Sequence, residues 1–368
     1  MIEAPRGRRT SGTSAWLLMV GILLLGCVPA LAAGGSGDFG DSGDLQPAAR
    51  ARVVDPVLIP ITGPIADRQA EISGMTWMGD TLVVLPQDPT VFAAGDNLGF
   101  FAFKRSTLEA AIAALLAGES VVPLEPHRAE CHAPGLSRVI RGFDGLEAMA
   151  IVGDACYMTV EAKEDTAMAG YLVCGHYDMV NETVRVDMTR LTGIPLGLNI
   201  HNIAEESILI DGERIITLSE ANGANLTDDP RAKVFNLATD YQGSLPFPQI
   251  EYRVTDATAL DADGRFWVVN YFFPPERAKL QPADDPEVAR HGTVDGVTAE
   301  TCVERLLELR LQGDEIVRTD TPPIYLALDP DGCRNWEAIV RLGDAGFLLM
   351  TDKYPGTLFA FVPDPFTH

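Results

Sequence analysis

One short pattern occurs five times along the chain. SGMTWMGDTLVVLPQ starts at Ser73, EAMAIVGDACYMTVE at Glu147, ESILIDGERIITLSE at Glu206, DATALDADGRFWVVN at Asp256 and EAIVRLGDAGFLLMTD at Glu337. Each copy is an apolar run, a Gly/Asp turn and a second apolar run, which is the signature of a β-hairpin. Both halves are almost continuously apolar, so both strands are expected to be covered on two faces. Internal repetition of one supersecondary unit points to an array rather than a single sandwich.

Weaker strand candidates follow each hairpin: FFAFK from Phe100, GYLVCGHY from Gly170, AKVFNL from Ala232, VERLLELRL from Val303 and TLFAFVP from Thr357. Two buried inner strands followed by more exposed outer ones make a propeller blade. The expected fold is therefore an all-β, five-bladed β-propeller over residues 55–363, with six blades as the alternative and residues 364–368 as a tail. The last copy runs out of chain after TLFAFVP, and VLIPITG (Val57 to Gly63) is the strand available to close the ring and remove an open edge. STLEAAIAALLAG (Ser106 to Gly118) reads as one inserted helix, with a capping box at Ser106 and Glu109 and Gly118 as its stop. Residues 274–296 read as a polar insertion loop, and His176 and His291 as surface residues.

The first strand of a propeller blade lines the central tunnel, and its antiparallel partner ends on the same face. The residues that open the hairpins (Ser73, Glu147, Glu206, Asp256, Glu337) and those that close them (Gln87, Glu161, Glu220, Asn270, Asp352) are thus expected around one mouth. Seven of these ten are carboxylates. At ~8 Å and an effective dielectric near 20, each like-charged pair costs about 2 kcal/mol. Such a ring needs protons, bases or a cation. Calcium suits it best, because it accepts several oxygen ligands at flexible geometry. The expected ligands are Ser73, Glu147, Glu206, Asp256 and Glu337, holding one ion at the tunnel mouth.

Ser73, Glu147, Glu206 and Glu337 resemble, in order of residue types, the tunnel ring of the calcium-activated nucleotidases (apyrases), which are five-bladed propellers; Asp256 stands where that family has Ser. More loosely, NWEAIVRLGDAGFLLMTDKYPGTLFAFVP resembles the blades of esterase-like phytase and lactonase-type propellers. These resemblances imply an exported hydrolase with a metal at the tunnel mouth.

Bases flank the hairpins: Arg253, Arg334, His201, Lys163 and Lys353. A metal beside Arg and Lys is how sites hold phosphate or carboxylate groups; neutralising the acids is the plainer role for the same bases. Asn222 and Asn225 lie in a polar loop after Glu220, and Asn270 closes the fourth hairpin. Tyr271, Phe272 and Phe273 follow, where a rim stacks on a ligand, with at least one expected in the core. There is no Gly-x-Ser-x-Gly elbow and no Gly-rich phosphate loop. Hydrolysis of a phosphate ester or lactone is therefore expected to be metal-assisted, with Glu161 or Glu220 as general base and Arg253, Arg334, Lys353, His201, Asn222 and Asn270 contacting substrate. The alternative is a non-enzymatic propeller that displays its rim to a glycan or protein, with a structural calcium.

The formal net charge of −24 excludes nucleic acid as a partner, since phosphate backbones require basic patches. Arg6, Arg8 and Arg9 precede the apolar run Ala15 to Gly26, and residues 1–26 read as a signal peptide. LLGC (Leu24 to Cys27) resembles a bacterial lipobox with Cys27 as the lipidated residue, while Ala30 to Ala32 offers a rival cleavage site. Residues 27–54 read as a flexible tether. The expected product is a monomer at the cell envelope, touching the membrane only through its lipid; periplasmic or secreted soluble protein is the alternative. The five cysteines beyond Cys27 leave at least one thiol unpaired, and none of them has zinc-ligand spacing.

Overall fold

Alternating apolar side chains along each strand face two neighbouring sheets in turn, and this decides the architecture. The computed structural model describes residues 50–93, 97–164, 167–178, 180–298 and 300–366; the signal-peptide and lipidation expectations, including Cys27, fall outside them. Two short strands come first, β1 (Arg52–Val54) and β2 (Val57–Leu58). Blade one is β3 (Ile72–Met78), β4 (Thr81–Pro86), β5 (Asn97–Lys104) and, after helix α1 (Arg105–Leu116), β6 (His127–His132). After a single helical turn, α2 (Leu136–Val139), blade two is β7 (Phe143–Val152), β8 (Ala155–Glu164), β9 (Ala167–Asp178) and β10 (Thr183–Ile194). Blade three is β11 (Glu205–Asp211) and β12 (Arg214–Ser219), then β13 (Ala221–Asn222), which joins the next sheet, then β14 (Arg231–Asn236) and β15 (Tyr241–Pro246).

Blade four is β16 (Ile250–Ala257), β17 (Arg265–Phe272), β18 (Val303–Gln312), β19 (Glu315–Arg318) and β20 (Ile324–Leu326), with the short helices α3 (Arg277–Leu280) and α4 (Pro286–His291) between β17 and β18. Blade five is β21 (Trp336–Arg341), β22 (Gly346–Thr351) and β23 (Phe359–Pro363). The innermost strands pack in a closed circle, β3 on β7, β7 on β11, β11 on β16, β16 on β21 and β21 on β3. The molecule is a five-bladed β-propeller, and the six-bladed alternative is excluded.

Five apolar layers fill the five seams. In β22, Phe347 and Leu349 pack toward blade four with Trp267 and Trp336. Leu348 and Met350, one residue on in each case, pack toward blade one with Leu82 and Val84. Burial on both faces is the reason the hairpins read as unbroken apolar runs rather than alternating ones. The circle is closed by chain from the other end: β2 pairs antiparallel with β23, and the Ile59 N–H donates to the Phe359 carbonyl at 2.8 Å.

Three expectations change. Residues 52–54, the end of the expected tether, form β1, which pairs parallel with β20. Helix α1 starts one residue early, with Lys104 at its N-cap and no side-chain cap, so Ser106 and Glu109 do not form a capping box; β5 runs directly into the helix and leaves no turn for one. Gly118 does stop it, at φ +76°. Residues 274–296 are not an open loop. They carry α3 and α4, and His291 is buried there beside Glu287, not on the surface.

Candidate functional site

Every inner hairpin carries a β-bulge at its opening end. The pairing skips one residue between Ile72 and Gly74, Leu146 and Ala148, Glu205 and Ser207, Val254 and Asp256, and Trp336 and Ala338. The unpaired residues are Ser73, Glu147, Glu206, Thr255 and Glu337. A bulge re-aims a side chain that a regular ladder would send to a sheet face, so the fold sets one such residue per blade at the same level of the tunnel.

Blade four corrects the sequence reading by one residue. Its ring member is Thr255, and Asp256 points into the seam, where its carboxylate accepts the N–H groups of Ala257 at 2.8 Å and Ile339 at 2.7 Å. Thr255 behaves as Ser73 does. The Ser73 hydroxyl donates to the carbonyl of Leu146 at 2.6 Å, and the Thr255 hydroxyl to that of Trp336 at 2.7 Å, each the residue before the next blade's glutamate. The closer shifts as well. Residues beyond the bulge partner are Gln87, Glu161, Glu220 and Asp352 in four blades, but Tyr271 in blade four, because Val254 pairs with Asn270. The cause is turn length. Blades one to three turn through two residues, whereas blade four turns through a longer Asp261-anchored loop whose carboxylate accepts the N–H groups of Asp263 and Arg265.

Above the ring lies a cavity of about 660 Å³, whose walls carry eight carboxylates (Glu71, Asp144, Glu147, Glu161, Glu206, Glu276, Glu337, Asp352) against three bases (Lys163, Arg253, Lys353). Gln87, Asn202, Asn335, Tyr271, Phe273 and Tyr354 complete its polar and aromatic lining. Burial and mutual repulsion act together here. Burial first, then the charges of Glu220, Asp144 and Asp352, push the Glu147 carboxyl up to about 7 although Gln87 donates to it at 3.1 Å. Glu161 is pushed up to about 8 by burial and by Glu147 and Glu220, against the pull of Lys163 at 3.8 Å. Glu206 and Glu337 are raised well above the usual range, again by burial first and then by neighbouring acids.

Several oxygens beside this ring are buried without a donor. Glu161 Oε1, Glu220 Oε2, Asp352 Oδ1 and Asn335 Oδ1 accept no hydrogen bond among the described residues. Unpaired buried acceptors are costly and call for an explanation such as an ion. Among the described residues, no three Asp, Glu, His or Cys side chains form a ready-made metal cage. The acids are instead held apart by Gln87, by Arg253, and by Asn335, which donates to Glu337 at 2.6 Å and Asp352 at 3.3 Å.

The other candidates divide. Arg253 and Lys353 line the cavity, and Lys353 pairs with Glu71 at 3.1 Å. Glu220 is fully buried under Arg253, to which it is ion-paired. Arg334 serves the blade four–five seam: it donates to Glu304 at 2.9 Å and stacks on Trp336. Asn270 is also internal, donating to the carbonyls of Glu251 and Arg253 and accepting from Arg305 at 2.8 Å. Asn222 donates to the Ser219 carbonyl, and His201 is exposed and does not line the cavity, although Asn202 beside it does. Of the aromatic run, Phe272 is core while Tyr271 and Phe273 reach the cavity.

Glu71, Asp144, Asn202, Glu276, Asn335 and Tyr354 were not foreseen. Glu71, Arg253 and Asn335 each stand two residues before a ring member, so the repeat itself held that signal. Glu276 arrives on the insertion, and nothing in the sequence ties it to the tunnel. Cys333, also on the wall, is joined to Cys302, while Cys131, Cys156 and Cys174 are free and buried.

No family model and no curated protein matches the chain. Among solved structures, a putative glycoside hydrolase from Bacteroides ovatus is 12% identical over 85% of this chain and 93% of its own, with a TM-score of 0.47. A GH130 protein, described with mannoside phosphorylases and with hydrolases of β-1,2 mannosidic linkages, is 10% identical over 87% and 96%, with a TM-score of 0.45. A glucose dehydrogenase is 12% identical over 82% and 99%, with a TM-score of 0.41. At scores below 0.5 these likenesses carry no weight for the fold or the chemistry, which rest on the strand circle and the side chains themselves.

Proposed function

We propose that the chain is an exported, calcium-dependent hydrolase of small anionic esters, phosphate esters or lactones, held at the cell envelope by a lipid on Cys27. The observation that carries this reading is the set of buried carboxylate oxygens without donors, on Glu161, Glu220 and Asp352, around a ring of three glutamates. The donor set fits calcium: hard carboxylate oxygens from Glu147, Glu206 and Glu337, at one level and from three blades. Thr255 in place of Asp256 gives the ring the order Ser, Glu, Glu, Thr, Glu, which supports the resemblance to the nucleotidase ring through a hydroxyl where that family has Ser.

Calcium, when bound, supplies charge neutralisation and polarises an ester oxygen. The chain's own residues do the rest. With eight acids against three bases on the wall, an anion enters only once the acid excess is offset. Lys163 and Lys353, both partly exposed on the lip, receive its negative groups. Of the two candidate bases, Glu220 is committed to Arg253, which leaves Glu161. Its Oε1, which accepts no hydrogen bond, takes the proton of the attacking water as the hydroxyl adds to phosphorus or the carbonyl carbon, and Glu161 returns that proton to the ester oxygen as its bond breaks. Tyr271 and Phe273 limit water on the blade-four side.

A screen of nucleotides, generic phosphomonoesters and lactones, with and without calcium, tests this. Turnover that requires calcium and drops by about 100-fold or more in Glu161→Gln, with calcium binding and melting temperature retained, is the expected result. A folded, calcium-loaded sample that turns over none of them transfers the assignment to a rim that binds a glycan or protein partner.

A further inference from the structure

Blade four differs from the others in what it presents to the mouth. Where the residue two before the ring member is Glu71, Gly145, Ala204 or Asn335 elsewhere, here it is Arg253. Its guanidinium is buried and surrounded by acids from three parts of the fold. Nε donates to Glu220 of blade three, Nη2 to Glu337 of blade five at 3.3 Å, and Nη1 lies 3.7 Å from Glu276 of the insertion. The Lys279 ammonium also donates to Glu276 Oε1 at 3.2 Å, yet Glu220 Oε2 and Glu276 Oε2 accept no hydrogen bond, so the two bases do not saturate the oxygens that face them.

The backbone is bent to put it there. Tyr252, directly before Arg253, has φ +72°, a conformation that a bulky residue adopts only when its surroundings hold it. The holding groups are visible: the Tyr252 ring packs on Phe272 at 4.7 Å, the guanidinium of Arg305 lies 5.5 Å from it, and Asn270 donates to the Arg253 carbonyl at 2.9 Å. Strained backbone of this kind gathers at functional sites.

We infer that Arg253 is a resident cation occupying a second divalent-cation position formed by Glu220, Glu276 and Glu337, and that it thereby limits the mouth to one metal ion. Removing the charge opens the position to calcium. The inference builds on the calcium reading above, but the two can fail separately.

Calorimetric titration of chelator-treated protein with calcium chloride reads both. Expected are one calcium per chain for the wild type, two for Arg253→Met and one for Arg253→Lys, which restores the charge. Arg253→Met binding the same number as the wild type overturns the inference, whatever that number is. A wild type that binds none beside an Arg253→Met that binds one sinks the calcium reading and leaves the inference standing. Should Arg253→Met not fold in chelator, refolding is measured by circular dichroism against added calcium. Recovery that saturates at one equivalent more than the wild type binds supports the inference, and no recovery at any calcium concentration overturns it.

Discussion

Thr255 and Asp256 are neighbours in sequence with different work. The threonine stitches blade four to blade five from the ring level, and the aspartate accepts two backbone N–H groups in the dry seam behind it. Two hydrogen bonds from buried backbone donors are lost or weakened if one carboxyl oxygen becomes an amide NH2. Asp256→Asn is therefore expected to destabilise the fold by about 1–3 kcal/mol and to leave calcium binding unchanged. Thermal melting alongside a calcium titration checks both halves; a stable variant with weakened calcium binding would return Asp256 to the ring. The sequence placed an acid at this mouth because it aligned the five hairpins at a fixed spacing. The alignment absorbed the slightly longer turn of blade five, where Glu337 is the bulged residue, but not the longer loop of blade four, which moves the bulge one residue to Thr255.

At the scale of elements, the sequence was most legible where one physical pattern decided the outcome. Doubly buried strands must be apolar throughout, so the five inner hairpins and the five strands that follow them could be read directly. VLIPITG was legible by elimination, as the only strand without a partner near an unfinished blade, and Val57 and Leu58 do pair with β23. The helices of residues 274–296 were not legible: single turns of four to six residues have too little periodicity, and they stand because Arg305 holds Asp285, the N-cap of α4, with bonds of 2.6 and 3.1 Å. The closing strand gives a prediction of its own. A chain beginning at Pro60 loses β2 and the buried Ile59, and should be about 3 kcal/mol less stable than one beginning at Asp55, which already lacks β1. Denaturant unfolding compares them, and equal midpoints would mean that β2 does not close the circle.

For the whole molecule, the cost of gathering like charges in one tunnel makes stability depend on pH and on the cation. The glutamate carboxyls of the ring are raised in the folded chain, Glu147 to about 7 and Glu161 to about 8, above their unfolded value. A carboxyl whose folded pKa is raised stabilises fully below its unfolded pKa and loses that contribution as pH rises through the folded one. Chelator-treated protein should thus melt at a lower temperature at about pH 8.5 than at about pH 5.5, and calcium should remove or reverse the difference. A melting temperature that rises with pH in chelator would contradict the placement of these acids around one cavity.

In the proposed function, the ring of bulged residues at the tunnel mouth binds one calcium through Glu147, Glu206 and Glu337. Glu206 is the sharpest probe, because after burial the charges of Glu147, Glu220, Glu337 and Glu161 raise its carboxyl. Isothermal titration of chelator-treated protein with calcium measures the claim directly. A single site in the wild type and at least about a tenfold weaker one in Glu206→Gln, a loss of ~1.4 kcal/mol or more, are the expected results. Equal binding by wild type and Glu206→Gln, or no binding by a folded wild-type sample, would contradict the claim.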